Sequence, residues 1–126
     1  MIYLDTHVVA WLYAGEVELF PRGARALIDS EELLISPIVE LELQYLYELK
    51  RTTQPGPAVI GSLQDEIGLA RCELPFAQVV SAALENDWTR DPFDRIIVAQ
   101  ALVRKTPLLT RDDAIRDHYE EAVWFE

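Results

Sequence analysis

Cysteine is nearly absent from the chain: Cys72 stands alone among 126 residues. That excludes an internal disulfide framework and a cysteine-built zinc site, and it suits a reducing cytoplasm. Histidine is almost as scarce, and His7 and His118 are too far apart in sequence to form a local metal motif. No apolar run approaches the roughly twenty residues of a membrane span, so no membrane association is expected. The N-terminus has no basic region ahead of an apolar run, so a signal peptide is not expected. Met1-Ile2-Tyr3-Leu4 reads instead as a strand of the mature fold. Positive charge is the last shortage, with 11 Lys and Arg against 22 Asp and Glu and a net charge of −11. Nucleic-acid binders usually carry a basic face. Either the acids simply keep the surface solvated, or part of the surplus is concentrated where a cation neutralises it. Their number cannot choose between these, but their positions can.

Half of the chain is hydrophobic and about a quarter is charged, as in an ordinary folded domain. The length suits one domain over residues 1–126, and no repeat, low-complexity tract or long linker divides it. Short apolar runs occur at Ile2-Tyr3-Leu4, Leu33-Leu34-Ile35, Cys72-Glu73-Leu74, Pro107-Leu108-Leu109-Thr110 and Val123-Trp124-Phe125. Helical patterns fill the intervals, at about 7–14, 22–30, 37–51, 56–68, 76–86, 93–105 and 112–119. Strands alternating with helices predict an α/β fold, a parallel sheet with helices on both faces. Two helical patterns follow one another across 37–68 around the Thr52-Thr53-Gln54-Pro55-Gly56-Pro57 break, which predicts a helical hairpin beside the sheet. Ligands of such sheets bind beyond the carboxyl ends of the strands. Asp5, Ser36 and Asp112 all lie just after apolar runs.

Several acids stand where acids are costly. Asp5 ends a strand and precedes Thr6-His7 and a helix, where Asp5 or Thr6 also serves as a plain helix cap. His7 reads as a helix-start residue rather than a metal ligand. In the helix after Pro37, Ile38, Leu41, Tyr45, Leu46 and Leu49 define an expected buried stripe with Glu42 in its middle and Glu40 off its centre. A carboxylate on an apolar face needs a partner, and no basic residue lies a turn away on this helix. Asp91-Pro92-Phe93-Asp94-Arg95 opens the helix whose expected stripe is Ile97, Val98, Ala101 and Leu102. Asp91 suits the N-cap and Pro92 the first turn, but Asp94 shares the inward face and capping explains it only in part. After Leu108-Leu109, Asp112 suits another N-cap and Asp113 the outer face. Carboxylates gathered at about 4 Å repel by about 4 kcal/mol per pair at an effective dielectric near 20. A hard divalent cation relieves that repulsion, and an all-oxygen donor set favours Mg²⁺ or Mn²⁺ over zinc.

Asp5 after an N-terminal strand, Ser36-Pro37-Ile38-Val39-Glu40-Leu41-Glu42, Asp91-Pro92-Phe93-Asp94-Arg95 and Leu109-Thr110-Arg111-Asp112, in this order along nearly the whole chain, resemble the PIN domains. Within them the pattern is most similar to the VapC-type toxins of toxin–antitoxin systems, and Asp91–Arg95 is its most specific block. The resemblance implies a PIN-like fold with about five parallel strands, and a pocket of acids binding Mg²⁺ or Mn²⁺. Carried over by position, the catalytic and metal-binding acids are Asp5, Glu42, Asp94 and Asp112. Asp91, Thr6, Ser36 and Thr110 are auxiliary. It further implies a metal-dependent cytoplasmic endoribonuclease that leaves a 5′-phosphate and a 3′-hydroxyl, forms a homodimer and is restrained by a cognate antitoxin. Arg95 and Arg111, then Arg90 and the Lys50-Arg51 pair, are the candidates to guide the phosphates of an RNA substrate, whether transfer, ribosomal or messenger. Tyr45, Tyr47 and Trp11 are candidate partner contacts. Two alternatives remain open at this point: an inactive PIN-like binding module, which would have no need of the repelling acids, and a phosphatase with Asp5 as nucleophile. The latter usually needs a second aspartate two residues on, where this chain has His7.

Overall fold

The computed structural model describes residues 1–125. Five parallel strands are ordered β3-β2-β1-β4-β5. They are β1 (Ile2–Leu4), β2 (Leu33–Ile35), β3 (Ala70–Arg71), β4 (Leu108–Leu109) and β5 (Ala122–Val123). Every residue of β1, β2 and β4 is buried. Successive strand residues point to opposite faces, so both faces of the central sheet are covered, as expected of a parallel sheet with helical layers. The helices are α1 (Thr6–Ala14), α2 (Arg22–Ser30), α3 (Pro37–Glu48), α4 (Gly56–Ile67), α5 (Phe76–Ala83), α6 (Pro92–Val103) and α7 (Asp113–His118). A short 3₁₀ turn at Val17–Leu19, absent from the sequence expectation, joins α1 to α2.

From β1 the chain steps outward to β2 and β3, then returns to place β4 on the other flank of β1. The crevice above the β1–β4 boundary is therefore where such a sheet binds ligands. Asp5 N–H donates to Leu109 O at 3.1 Å, so pairing continues one residue past β1 and fixes Asp5 at that boundary.

Three sequence expectations are corrected. The third strand lies at Ala70–Arg71, paired with Leu34 and Ile35, rather than at Cys72-Glu73-Leu74. Cys72 adds one further amide bond to Ile35 O at 2.8 Å. Its side chain turns inward to the Tyr3 hydroxyl at 2.9 Å, and Pro75 then begins the entry to α5. The expected stripe on α3 merges two different rows. Val39 and Leu43 form the fully buried row, and Ile38, Glu42 and Leu46 form the half-buried row beside it. Leu41, Tyr45 and Leu49, four residues apart on another face, are about half exposed. Leu102 on α6 likewise points outward while Ile97, Val98 and Ala101 are buried.

The hairpin of α3 and α4 closes at Gly56. A Cβ there would collide with the Glu40 carbonyl oxygen, so only glycine lets the two helices approach this closely. The Gly56 N–H donates to Gln44 Oε1 at 3.1 Å, which ties the second helix to the first.

Candidate functional site

Three helices begin at the crevice, and each is capped by an aspartate. Asp5 caps α1, with its Oδ1 accepting the Thr6 N–H at 2.8 Å. Asp91 caps α6 through Oδ1, which accepts from Phe93 N at 2.8 Å and Asp94 N at 3.3 Å. Asp112 caps α7, with Oδ1 accepting from Ile115 N at 2.9 Å. The capping explanation offered by the sequence is thus correct for all three, yet all three also line one cleft. Amide groups and helix dipoles at these ends favour negative charge, which lets the fold gather carboxylates that would otherwise repel. Helix formation and site assembly use the same residues.

The cleft, of about 310 Å³, is lined by Asp5, Thr6, His7, Ala10, Trp11, Glu42, Leu46, Asp91, Asp94 and Asp112. An apolar groove around Ser36, Leu41 and Phe76 is nearly as large at about 290 Å³, so size does not single out a site. Chemistry does, because five carboxylates face the first and none lines the second.

Asp5 is buried, and its second oxygen accepts the Thr110 hydroxyl at 2.6 Å. Thr110 Oγ1 in turn accepts the Asp112 N–H at 3.0 Å, linking two acids through one hydroxyl. Glu42 Oε1 accepts the Thr6 hydroxyl at 2.5 Å. Burial pushes the Glu42 carboxyl above the ordinary range against the opposing pull of that hydrogen bond, with Asp5 and Asp91 adding to the rise. Asp94 is the extreme case. Among the described residues no donor reaches its carboxylate. Burial, then the charges of Asp5, Asp91, Asp112 and Glu42, push it up to about 7. Glu40, two residues before Glu42, points elsewhere and pairs with Arg71 Nε at 2.7 Å.

Other expected site residues fall outside the cleft. The Ser36 hydroxyl donates to Gln100 Oε1 at 2.8 Å, accepts from Ile38 N at 3.3 Å and lines the apolar groove. Arg95 turns away and donates to the carbonyls of Ala83 and Leu84, both at 3.2 Å, at the end of α5. Arg90 is held in its own loop by Asp87 O at 2.8 Å. Arg111 stays near the cleft, its guanidinium 5.9 Å from the centroid of Trp11. His7 lies at the start of α1, as the sequence reads, but nothing in the sequence showed that it also forms part of the cleft wall. Sequence reasoning missed Gln100, the buried partner of Ser36. An amide inside the otherwise apolar stretch Ile97–Ala101 was the available signal for it.

The donor set suits a hard cation. It consists of carboxylate oxygens, one of them without any donor and raised by its acidic neighbours, with no thiolate nearby. The acids ring the cleft rather than meet at one point. Among the described residues no three His, Cys, Asp or Glu side chains are already drawn to ligand spacing.

Comparison with known proteins adds two findings. A family model for the PIN domain matches residues 2–121. Ribonuclease VapC22 of Mycobacterium tuberculosis is 30% identical over 119 residues, covering 93% of this chain and 91% of that protein.

Proposed function

The chain belongs to the PIN-domain family, in its VapC-type branch, and on that premise we propose that it is a divalent-cation-dependent endoribonuclease, the toxin of a toxin–antitoxin pair. The observation that carries this reading is the donorless Asp94 carboxyl, facing four other acids and pushed up to about 7. A fold does not retain such repulsion for stability, whereas a cation site requires it.

Asp5, Glu42, Asp94 and Asp112 would hold Mg²⁺ or Mn²⁺, with Asp91 at the rim. When bound, the cation lowers the pKa of a water and neutralises charge on the scissile phosphate. The remaining work falls to the chain. Thr6 and Thr110 restrict the rotation of Glu42 and Asp5 by donating to one oxygen of each. Asp94, with no competing donor, and Glu42 orient the attacking water. Arg111 at the cleft edge guides the substrate phosphate, and this is the one of the paired candidates Arg95 and Arg111 that its position supports. Cleavage leaves a 5′-phosphate and a 3′-hydroxyl.

A homodimer and a cognate antitoxin complete the reading. It is supported by Leu41 at 56% and Phe76 at 69% exposure beside the apolar groove, and by the outward Tyr45 and Tyr47. No helix among the described residues is long and apolar enough to cross a membrane. We place the protein in the cytoplasm, where its RNA substrate is found.

The test is Mn²⁺-titrated cleavage of a structured RNA by the wild type, Asp5→Ala and Asp94→Asn. Cation-dependent cutting by the wild type alone is expected. Cutting that survives in both variants refutes the assignment.

A further inference from the structure

His7 belongs to no role described so far, yet it touches both halves of the acidic cluster. Its Nε2 accepts the Arg111 backbone N–H at 2.9 Å, so the ring proton resides on Nδ1. Nδ1 lies 3.4 Å from Asp5 Oδ2, the oxygen that also accepts the Thr110 hydroxyl. Two tethers therefore hold consecutive amides of the β4–α7 loop to the start of α1. One runs from the Asp5 carboxylate through Thr110 to the Asp112 N–H, and the other is the His7 ring, which accepts the Arg111 N–H while its other nitrogen only lies beside Asp5. The imidazole packs tilted against Trp11, with centroids 4.9 Å apart, and meets Trp124 edge-on at 6.4 Å. An imidazole bonded to the loop and packed against two tryptophans is a rigid spacer, unlike a side chain lying against a cleft by chance.

We infer that His7 is a positioning residue, which limits how far the Asp112-bearing loop can move from the Asp5 end of α1, so that a divalent cation can draw both acids in. The cation itself rests on the ribonuclease reading above, whereas the double tether does not. Without His7 the loop is held to the start of α1 by the Thr110 link alone, beside the Thr110 N–H bond to Val123 O and the Asp112 cap of α7. Asp112 then moves more freely relative to Asp5, and part of that freedom is lost at the moment of cation binding, at an entropic cost that the tethered loop has already met on folding.

The experiment measures Mn²⁺ affinity by calorimetry on the full chain, with thermal melts in EDTA run alongside. His7→Phe keeps a ring against the tryptophans and removes both nitrogens. His7→Gln offers an amide donor and acceptor in their place. Outer-shell partners of metal ligands are worth roughly ten- to a hundredfold in affinity, and a loss of that size is expected for His7→Phe, with partial recovery in His7→Gln. A His7→Phe protein that binds Mn²⁺ within about twofold of wild type overturns the inference. So does a folded His7→Gln as weak as a folded His7→Phe, because packing alone would then account for the loss. Should His7→Phe fail to fold, His7→Met, which fills the same space without a donor, takes its place. A wild type that binds no Mn²⁺ refutes the ribonuclease reading itself, which separates that failure from a failure confined to His7.

Discussion

Asp94 makes a quantitative demand on stability. Its carboxyl rises from an ordinary 3.8 to about 7 in the folded protein. The native state therefore retains a proton that the unfolded chain has released, and the wild type loses stability as pH climbs between those two values. Below the ordinary value both states are protonated and no penalty exists. Above about 7 the penalty is complete. At 1.36 kcal/mol per unit the full shift corresponds to about 4 kcal/mol. Asp94 is only partly buried, and screening by water reduces this to about 2 kcal/mol. Asp94→Asn removes the charge at constant shape. In EDTA at about pH 8.5 the variant should exceed the wild type by about 2 kcal/mol, a rise of roughly 5–10 °C in melting temperature. At about pH 3, below the ordinary value, the two should melt together. Saturating Mn²⁺ should reverse the order, because only the wild type retains the full set of acids that the cation stabilises. Thermal melts across pH, with and without Mn²⁺, supply all three comparisons. An Asp94→Asn advantage that is absent at high pH, or equal at both pH values, refutes the view that Asp94 carries uncompensated charge.

Three further outcomes follow from the same geometry. Thr110→Val removes the hydroxyl shared by Asp5 and Asp112, and should lower the urea midpoint by the equivalent of about 1–3 kcal/mol while reducing RNA cleavage. Gly56→Ala forces a methyl against the Glu40 carbonyl oxygen and should cost about 1–3 kcal/mol in chemical denaturation. A neutral result would show that the hairpin relaxes freely. Glu40→Gln breaks a half-exposed pair with Arg71 and should cost less than about 1 kcal/mol with cleavage unchanged, whereas Glu42→Gln should abolish cleavage. Parallel melts and cleavage assays on the two glutamate variants separate them.

The sheet class, the helices and the capping aspartates were legible because each depends on local chemistry. Asp91-Pro92 reads as a helix start from two adjacent residues, and the hairpin reads from one Pro-Gly-Pro break. The stripe on α3 points to Glu42 rather than Glu40, and Glu42 does line the cleft, but the stripe itself fails in part, since Leu41, Tyr45 and Leu49 face outward. Apolar residues four apart look alike whether a helix row meets the core or a groove, and only the neighbouring elements decide. His7 was illegible for a different reason. Its partner is the amide of a residue 104 positions away, and backbone donors leave no trace in sequence. Arg95 misled in the same way, because its partners are carbonyl oxygens of another helix. The third strand was misplaced because two residues paired to β2 carry no periodicity of their own.

The link between Asp5 and Thr110 spans 105 positions. A chain growing from its N-terminus carries Asp5 and Glu42 long before β4 exists to flank β1, and Asp112 follows only after that strand. Closing so distant a contact is slow and comes late, since the entropy of the intervening loop must be overcome first. A nascent chain shorter than about residue 112 thus has no complete acidic cleft. The acids of the cleft are therefore brought together only once β4 has taken its place beside β1.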